Sequence, residues 1–181
     1  LKYASNVAYV TKKELQSKYP FGGGYQTYYS SINLRKDFFC ENKVFLTNPH
    51  LRLIGVGNVE MPYKGVRILL EALKILDDRG IQFSLEWIGD GKLLEEYIDF
   101  CEKNNLNNRV SFLGRVPNES IPTLLNKNNI FIMPSLTEGL PRALIEAMSG
   151  RMICLGSNVG GIPELLDNKC LFEPNNPFSL V

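Results

Sequence analysis

Ile130-Phe131-Ile132-Met133-Pro134-Ser135-Leu136-Thr137-Glu138-Gly139-Leu140-Pro141-Arg142-Ala143-Leu144-Ile145-Glu146-Ala147-Met148-Ser149-Gly150 is the stretch whose pattern decides the fold. Its first four residues form a short apolar run with the length and β-branching of a buried strand. Pro134, Ser135, Thr137 and Gly139 break that pattern. Pro141 stands where the first turn of a helix accepts it, because its fixed φ suits that position and its missing N–H is not needed there. Ala143, Leu144, Ala147 and Met148 then recur at helical spacing, so the unit is strand, loop, helix. Glu138 lies in the loop, facing the mouth above the strand's carboxyl end, and Glu146 lies farther along the helix, pointing along the rim of the same crevice. Between them are the free N–H groups and positive dipole end of the helix, a place suited to an anionic ligand. The alternative is a pair of ordinary helix acids, one near the amino end and one solvated.

The same alternation extends on both sides. Leu51 to Val56 is an apolar run, Gly65 to Leu76 carries Val66, Leu69, Leu70, Leu73 and Leu76 at helical spacing, and Phe83 to Ile88 is the next extended run. Leu93 to Cys101 reads as helix, Val110 to Leu113 as strand and Ile121 to Leu125 as a short helix. After the central helix, at 141–149, come a strand at 152–155, a short helix near 161–166 and a last strand near 170–172. Strands and helices alternating through right-handed crossovers predict an α/β, Rossmann-like open parallel sheet with helices on both faces. Ligands meet such a sheet at the carboxyl ends of its strands, so the loops that follow the strands hold the candidate residues.

The first of these loops is Gly55-Val56-Gly57-Asn58-Val59-Glu60-Met61-Pro62-Tyr63-Lys64-Gly65. Its glycines let the backbone approach a ligand, and Lys64, just before the helix, is placed to meet a phosphate; a solvated surface lysine is the other reading. The loop fails as a dinucleotide fingerprint, because Glu60 stands where the third glycine should be and the second strand ends in Gly89-Asp90 rather than a lone ribose-binding acid. An oxidoreductase is therefore disfavoured. Gly89-Asp90-Gly91 reads either as a tight strand-to-helix turn or as a ligand contact. In Gly160-Gly161-Ile162-Pro163-Glu164-Leu165, Pro163 suits a helix start and Glu164 its first turn, where the dipole favours an acid. The single histidine, His50, precedes the first strand and reads as a surface residue rather than a general base.

Residues 1–48 differ from the rest. Asn6 to Val10 reads as a short strand, and Thr11-Lys12-Lys13-Glu14 matches a capping box opening a helix that ends near Tyr19-Pro20. Gly22-Gly23-Gly24 breaks the chain; with no Gly-Lys-Ser or Gly-Lys-Thr after it, a plain turn fits better than a phosphate loop. Gln26 to Ser31 reads as extended and Arg35 to Cys40 as a short helical turn.

The totals bound the class. The chain's 181 residues, 44% hydrophobic and 22% charged, suffice for one core of ordinary globular composition. A net charge of +1 without a basic run argues against nucleic acid or an anionic membrane surface as partner. Cys40, Cys101, Cys154 and Cys170 lie far apart with no metal-type pairing; Cys154 and Cys170 sit in apolar runs and read as core, in a reduced cytosolic setting. No apolar stretch reaches the ~20 residues of a membrane span, and the start lacks the layout of a signal peptide. The chain begins without Met and stops at Phe178-Ser179-Leu180-Val181, which reads as the opening of a further helix, so we expect a fragment of a longer protein.

Thr137-Glu138-Gly139-Leu140-Pro141-Arg142-Ala143-Leu144-Ile145-Glu146-Ala147-Met148, followed by Val159-Gly160-Gly161-Ile162-Pro163-Glu164-Leu165, resembles the donor-binding signature of retaining glycosyltransferases of family 4, which have the GT-B fold. Lys64-Gly65, Ile88-Gly89-Asp90-Gly91 and Val110-Ser111-Phe112-Leu113-Gly114 fall upstream in the order that family shows. The resemblance implies that residues 49–181 are a nucleotide-sugar (donor) binding domain, one half of a GT-B enzyme, and that residues 1–48 are the tail of its amino-terminal acceptor domain with the interdomain linker. It implies that Glu138 is catalytic and accepts hydrogen bonds from hydroxyls of the donor sugar, and that Glu146 accepts them from the ribose. Lys64, Arg142 and the helix start at Gly139, Leu140 and Pro141 would hold the diphosphate, with Gly57 allowing close approach. Gly114, Arg115 and Val116 would bracket the base, although Arg115 also reads as an exposed rim residue. The family commonly has an arginine at the position of Asn58; here either Lys64 carries the charge with less help or Arg142 is the second cation.

The implied reaction is transfer of the sugar from a UDP-, GDP- or ADP-sugar with retention, with no cofactor and no required metal. The acceptor, a saccharide or lipid-linked saccharide, would be held by the mostly absent amino-terminal domain, so that the fragment alone binds but barely catalyses. The implied setting is surface polysaccharide or lipopolysaccharide assembly, cytoplasmic or peripheral at the inner membrane face. A rival from another class, a noncatalytic sugar-nucleotide sensor or scaffold subunit, shares the fold, and Asn58 leaves it open.

Overall fold

The computed structural model of the chain describes residues 3–30, 32–39 and 50–181. Near the amino end, β1 (Asn6–Tyr9), α1 (Glu14–Lys18) and β2 (Tyr25–Tyr28) form a small unit in which the two strands run parallel, so α1 is their crossover. A 3-10 turn at Lys36–Phe38 follows. The rest alternates: β3 (Leu51–Val56), α2 (Val66–Asp78), β4 (Phe83–Ile88), α3 (Leu94–Lys103), β5 (Val110–Gly114), α4 (Ile121–Lys127), β6 (Ile130–Met133), α5 (Arg142–Ser149), β7 (Ile153–Ser157) and β8 (Leu171–Phe172).

The second sheet has six strands, all parallel, in the order β5-β4-β3-β6-β7-β8. Alternation along the strands divides its core between two faces. On β3, Leu53 joins Leu69, Leu70, Leu73, Phe83, Leu85 and Trp87 on the side covered by α2 and α3. Its neighbour Ile54 joins Phe131, Met133, Leu144, Ala147 and Cys154 on the side covered by α4 and α5. Helix α2 buries Val66, Leu69, Leu70, Leu73 and Leu76, one stripe at helical spacing. Each such side chain removed from water contributes roughly 1.5–3 kcal/mol, which is why the stripe faces the sheet. The open α/β sheet with helices on both faces is thus the observed architecture.

The strand order reverses between β3 and β6, and that position fixes the site. Strands added after β3 go one way and strands after β6 the other, so the loops leaving these two neighbours diverge and open a crevice between them. Gly65 pins the two loops together: it has φ +66, and a Cβ there would lie 1.8 Å from the carbonyl oxygen of Pro134. Only glycine fits such a contact.

Several elements differ from the sequence reading. The strand expected at 152–155 runs Ile153–Ser157. The short helix near 161–166 is a single 3-10 turn, Ile162–Glu164, and the chain's last residues form another, Pro177–Leu180. The capping box is absent: α1 begins at Glu14 with no side-chain cap from its N-cap residue Lys13, while Thr11 Oγ1 accepts from the Leu15 N–H at 2.9 Å and Gln16, not Glu14, reaches back to Thr11. His50 is half-buried, its Nε2 3.1 Å from Ser84 Oγ, rather than a surface residue. Cys154 is in the core as expected, but Cys101 is buried too and Cys170 only partly. Burial pushes the Cys101 thiol up to about 11, which keeps it inert. Cys40, Ser31 and the expected domain boundary at 48/49 lie outside the described residues. Among the described residues no helix is long and apolar enough to cross a membrane.

Candidate functional site

Lys64 ends the 3-10 turn Pro62–Lys64 in the loop after β3, and Glu138 lies in the loop after β6. The crevice brings them together. Lys64 Nζ donates to Glu138 Oε1 at 2.6 Å, and their side chains are only 18% and 12% exposed. Ser135 Oγ, buried beneath them, donates to the same oxygen at 2.7 Å. Ser157 Oγ, fully buried on β7, in turn donates to the Ser135 carbonyl. One oxygen of Glu138 is therefore doubly held, while among the described residues Oε2 has no partner.

Helix α5 supplies the opposite wall. Its N-cap is Pro141 and no side chain caps it, so its first N–H groups remain available at the end where the dipole is positive. Arg142 Nε lies 3.1 Å from Glu146 Oε1, one turn on; the arginine is mostly exposed and the glutamate only 14% so. Burial raises the Glu146 carboxyl above its ordinary range, with the Arg142 and Arg35 cations pulling the other way. Lys64, Glu138, Pro141, Arg142, Glu146, Gly57 and Asn58 all line one cleft of about 430 Å³. Its far side is closed by Asn33, Arg35 and Phe38, and by Asn118 and Ile121.

The other expected residues stand differently. Asn58 faces the cleft, but its Oδ1 accepts from the Glu60 N–H at 2.6 Å, so this side chain holds a turn. Gly114, Arg115 and Val116 do not line the cleft: the Gly114 carbonyl accepts from Gly89 N–H at 2.9 Å, Arg115 is exposed, and Val116 packs on the core cluster under α5. Asn118 and Ile121 occupy the wall that these residues were expected to form. Gly139 and Leu140 do not line the cleft, and the Gly139 carbonyl accepts from Gly161 N–H at 2.8 Å. Asp90 is a turn former, its carboxylate accepting from Gly91 N–H.

Two features escaped the sequence reading. Arg35 and Phe38 form a wall of the cleft opposite residues as far along the chain as Glu146, and no pattern around them in the sequence signals it. Glu164 caps not its own turn but α1. Its carboxylate accepts from the backbone N–H groups of Lys12, Lys13 and Glu14 at 2.6, 2.9 and 3.1 Å. Burial opposes its ionisation, but the three backbone donors outweigh it and the carboxyl is held below its ordinary range.

A partly buried cation, two carboxylates and an uncapped helix start around one cleft can hold a phosphorylated, hydroxyl-bearing ligand. Comparison with known proteins gives the family. Residues 46–181 match the family described as Glycosyl transferases group 1. Protein CapJ of Staphylococcus aureus is 30% identical over 181 residues, 99% of this chain and 45% of CapJ. The amylovoran biosynthesis glycosyltransferase AmsK of Erwinia amylovora is 34% identical over 65% of this chain and 30% of AmsK. The chain thus spans less than half the length of either relative. The crystal structure of Anabaena Alr3699/HepE in complex with UDP and glucose shares the fold, with a TM-score of 0.78 at 20% identity over 99% of this chain and 52% of that one.

Proposed function

The chain belongs to the group 1 glycosyl transferases, and from that premise we propose that it is the donor-binding half of an enzyme that transfers a sugar from a nucleoside diphosphate to an acceptor with retention. The observation that carries this reading is the meeting of Lys64 and Glu138 at the reversal of strand order, beside the uncapped start of α5.

Lys64, Arg142 and the first N–H groups of α5 hold the diphosphate and stabilise the charge that grows on it as the glycosidic bond breaks. A charge-assisted hydrogen bond of this kind contributes about 1.5–3 kcal/mol. Glu138 accepts from hydroxyls of the donor sugar through Oε2, the oxygen that neither Lys64 nor Ser135 holds, and Glu146 accepts from the ribose. The base lies toward Asn118, Ile121 and the Arg115 loop. Residues 49–181 are the donor domain, and residues 1–48 belong to the acceptor lobe and linker. No metal is required in this scheme. The name of AmsK, an amylovoran biosynthesis glycosyltransferase, supports a place in surface polysaccharide assembly, with a saccharide or lipid-linked acceptor. That work would take place in the cytoplasm or at the inner membrane face.

Two substitutions test the roles. In the intact enzyme, Glu138→Ala should lower the transfer rate at least a hundredfold in order of magnitude; a rate equal to the parent's would remove Glu138 from the reaction. Glu146→Ala should weaken nucleoside diphosphate and intact donor alike, and equal affinities would rule out the ribose contact. A second reading, a noncatalytic sugar-nucleotide sensor, draws on Asn58, whose side chain serves a turn where the resemblance implies an arginine. Donor binding without any transfer in the intact parent would favour it.

A further inference from the structure

We propose that Glu138 is an internal competitor of the diphosphate for Lys64, so that the site discriminates the intact donor from the nucleoside diphosphate left after transfer; this rests on the donor-site reading above. Among the described residues Lys64 is the one cation in contact with Glu138, and it is bound to that carboxylate at 2.6 Å rather than facing solvent. A diphosphate reaching Lys64 must either displace Glu138 or settle beside it. In the first case Glu138, 12% exposed, keeps among the described residues only the Ser135 hydroxyl and is left as a poorly compensated charge. In the second, two anions share one ammonium. Both penalise a bare nucleoside diphosphate.

The intact donor escapes the penalty because it brings its own remedy. Sugar hydroxyls donate to Glu138 and replace the lysine it gives up. After transfer the sugar is gone, Glu138 takes Lys64 back, and the diphosphate loses its cation. Ser135 is the positioning residue in this device. Its buried hydroxyl, fixed in place by Ser157 through the Ser135 carbonyl, holds Oε1 toward Lys64 and leaves Oε2 for the sugar.

Calorimetric titration with uridine and guanosine diphosphates, and with UDP-glucose and GDP-mannose, tests this on the parent, Glu138→Gln, Lys64→Ala, the double variant and Ser135→Ala. Glu138→Gln should bind the nucleoside diphosphate on the order of tenfold tighter than the parent, a typical coupling between neighbouring sites, while gaining nothing for the matching nucleotide sugar. The gain should vanish in the double variant, because without Lys64 there is nothing to compete for. Ser135→Ala should show a smaller gain of the same sign, reversed in Ser135→Thr, and it carries the test should Glu138→Gln fold poorly; a merely structural serine would lower affinity for both ligands. The proposal is overturned if neither Glu138→Gln nor Ser135→Ala tightens binding of the nucleoside diphosphate while Lys64→Ala still weakens it, an outcome that leaves the donor-site reading standing. No binding by the parent, or no effect of Lys64→Ala, overturns both.

Discussion

Glu138 and Glu164 flank the same pair of loops and use their charge in opposite ways. Glu138 spends one oxygen on Lys64 and Ser135 and leaves the other without a partner among the described residues, in a cleft. Glu164 has both oxygens taken by three successive backbone N–H groups from the other end of the chain. A carboxylate with unused hydrogen-bonding capacity in a crevice is available to a ligand, whereas a saturated one is a fastener. The two regions are also joined: Gly161 N–H donates to the Gly139 carbonyl, and Gly160, at φ +54, lies so close that a Cβ on it would be 2.1 Å from the Glu138 carbonyl oxygen.

The largest effect is expected where the two regions are linked. Gly160→Ala combines a left-handed backbone with a clash against the Glu138 carbonyl, and should destabilise the protein by about 3 kcal/mol in a denaturant titration while weakening the nucleotide. Parental stability would mean that the two loops are not coupled. Next in size, Lys64→Ala should cost roughly 2 kcal/mol of stability, because it leaves Glu138 partly buried and unpaired, and should weaken nucleoside diphosphate binding by about one to two orders of magnitude.

On the other side of the comparison, Glu164→Gln keeps the shape and removes the charge. It should loosen residues 12–14 by about 1 kcal/mol, read as faster amide exchange there, with nucleotide affinity unchanged. Amide protection equal to the parent's would show that the charge is not what holds α1.

The smallest effect separates the regions by sign. Glu164 is held below its ordinary 4.5, so the folded state binds fewer protons than the unfolded one; its contribution is present above about pH 4.5 and is lost as pH falls through the lowered value. Glu146 is raised above 4.5, so the folded state favours its protonated form, and stability declines as pH rises through the raised value. Glu146→Gln should therefore flatten the stability profile above pH 4.5 and Glu164→Gln the profile below it. Identical profiles for the two variants would erase the distinction.

The parts legible in the sequence were those set by local pattern. Leu51–Val56, Phe83–Ile88 and Ile130–Met133 run between their expected ends, because each carries buried apolar residues and is followed by Gly57, Gly89 or Pro134. Lys64, Glu138, Arg142 and Glu146 were readable as loop and helix-start residues above such strands, and the strand order brings them to one cleft. What was not legible depended on contacts distant in sequence. Nothing near Arg35 or Phe38 says that they wall a cleft built by residues after 56, and nothing near Glu164 says that its partners are Lys12 to Glu14. Thr11 satisfies the capping pattern by residue type, yet the helix start is set by a carboxylate more than a hundred residues away.

The central claim is that the Lys64–Glu138 cleft binds a nucleoside diphosphate carrying a sugar. Calorimetric titration of the chain and of Lys64→Ala with uridine, guanosine and adenosine diphosphates, without added metal, tests it most directly. Selective binding of one nucleotide by the parent, lost in Lys64→Ala, is the result this account predicts. Binding of the same strength in both proteins would contradict it.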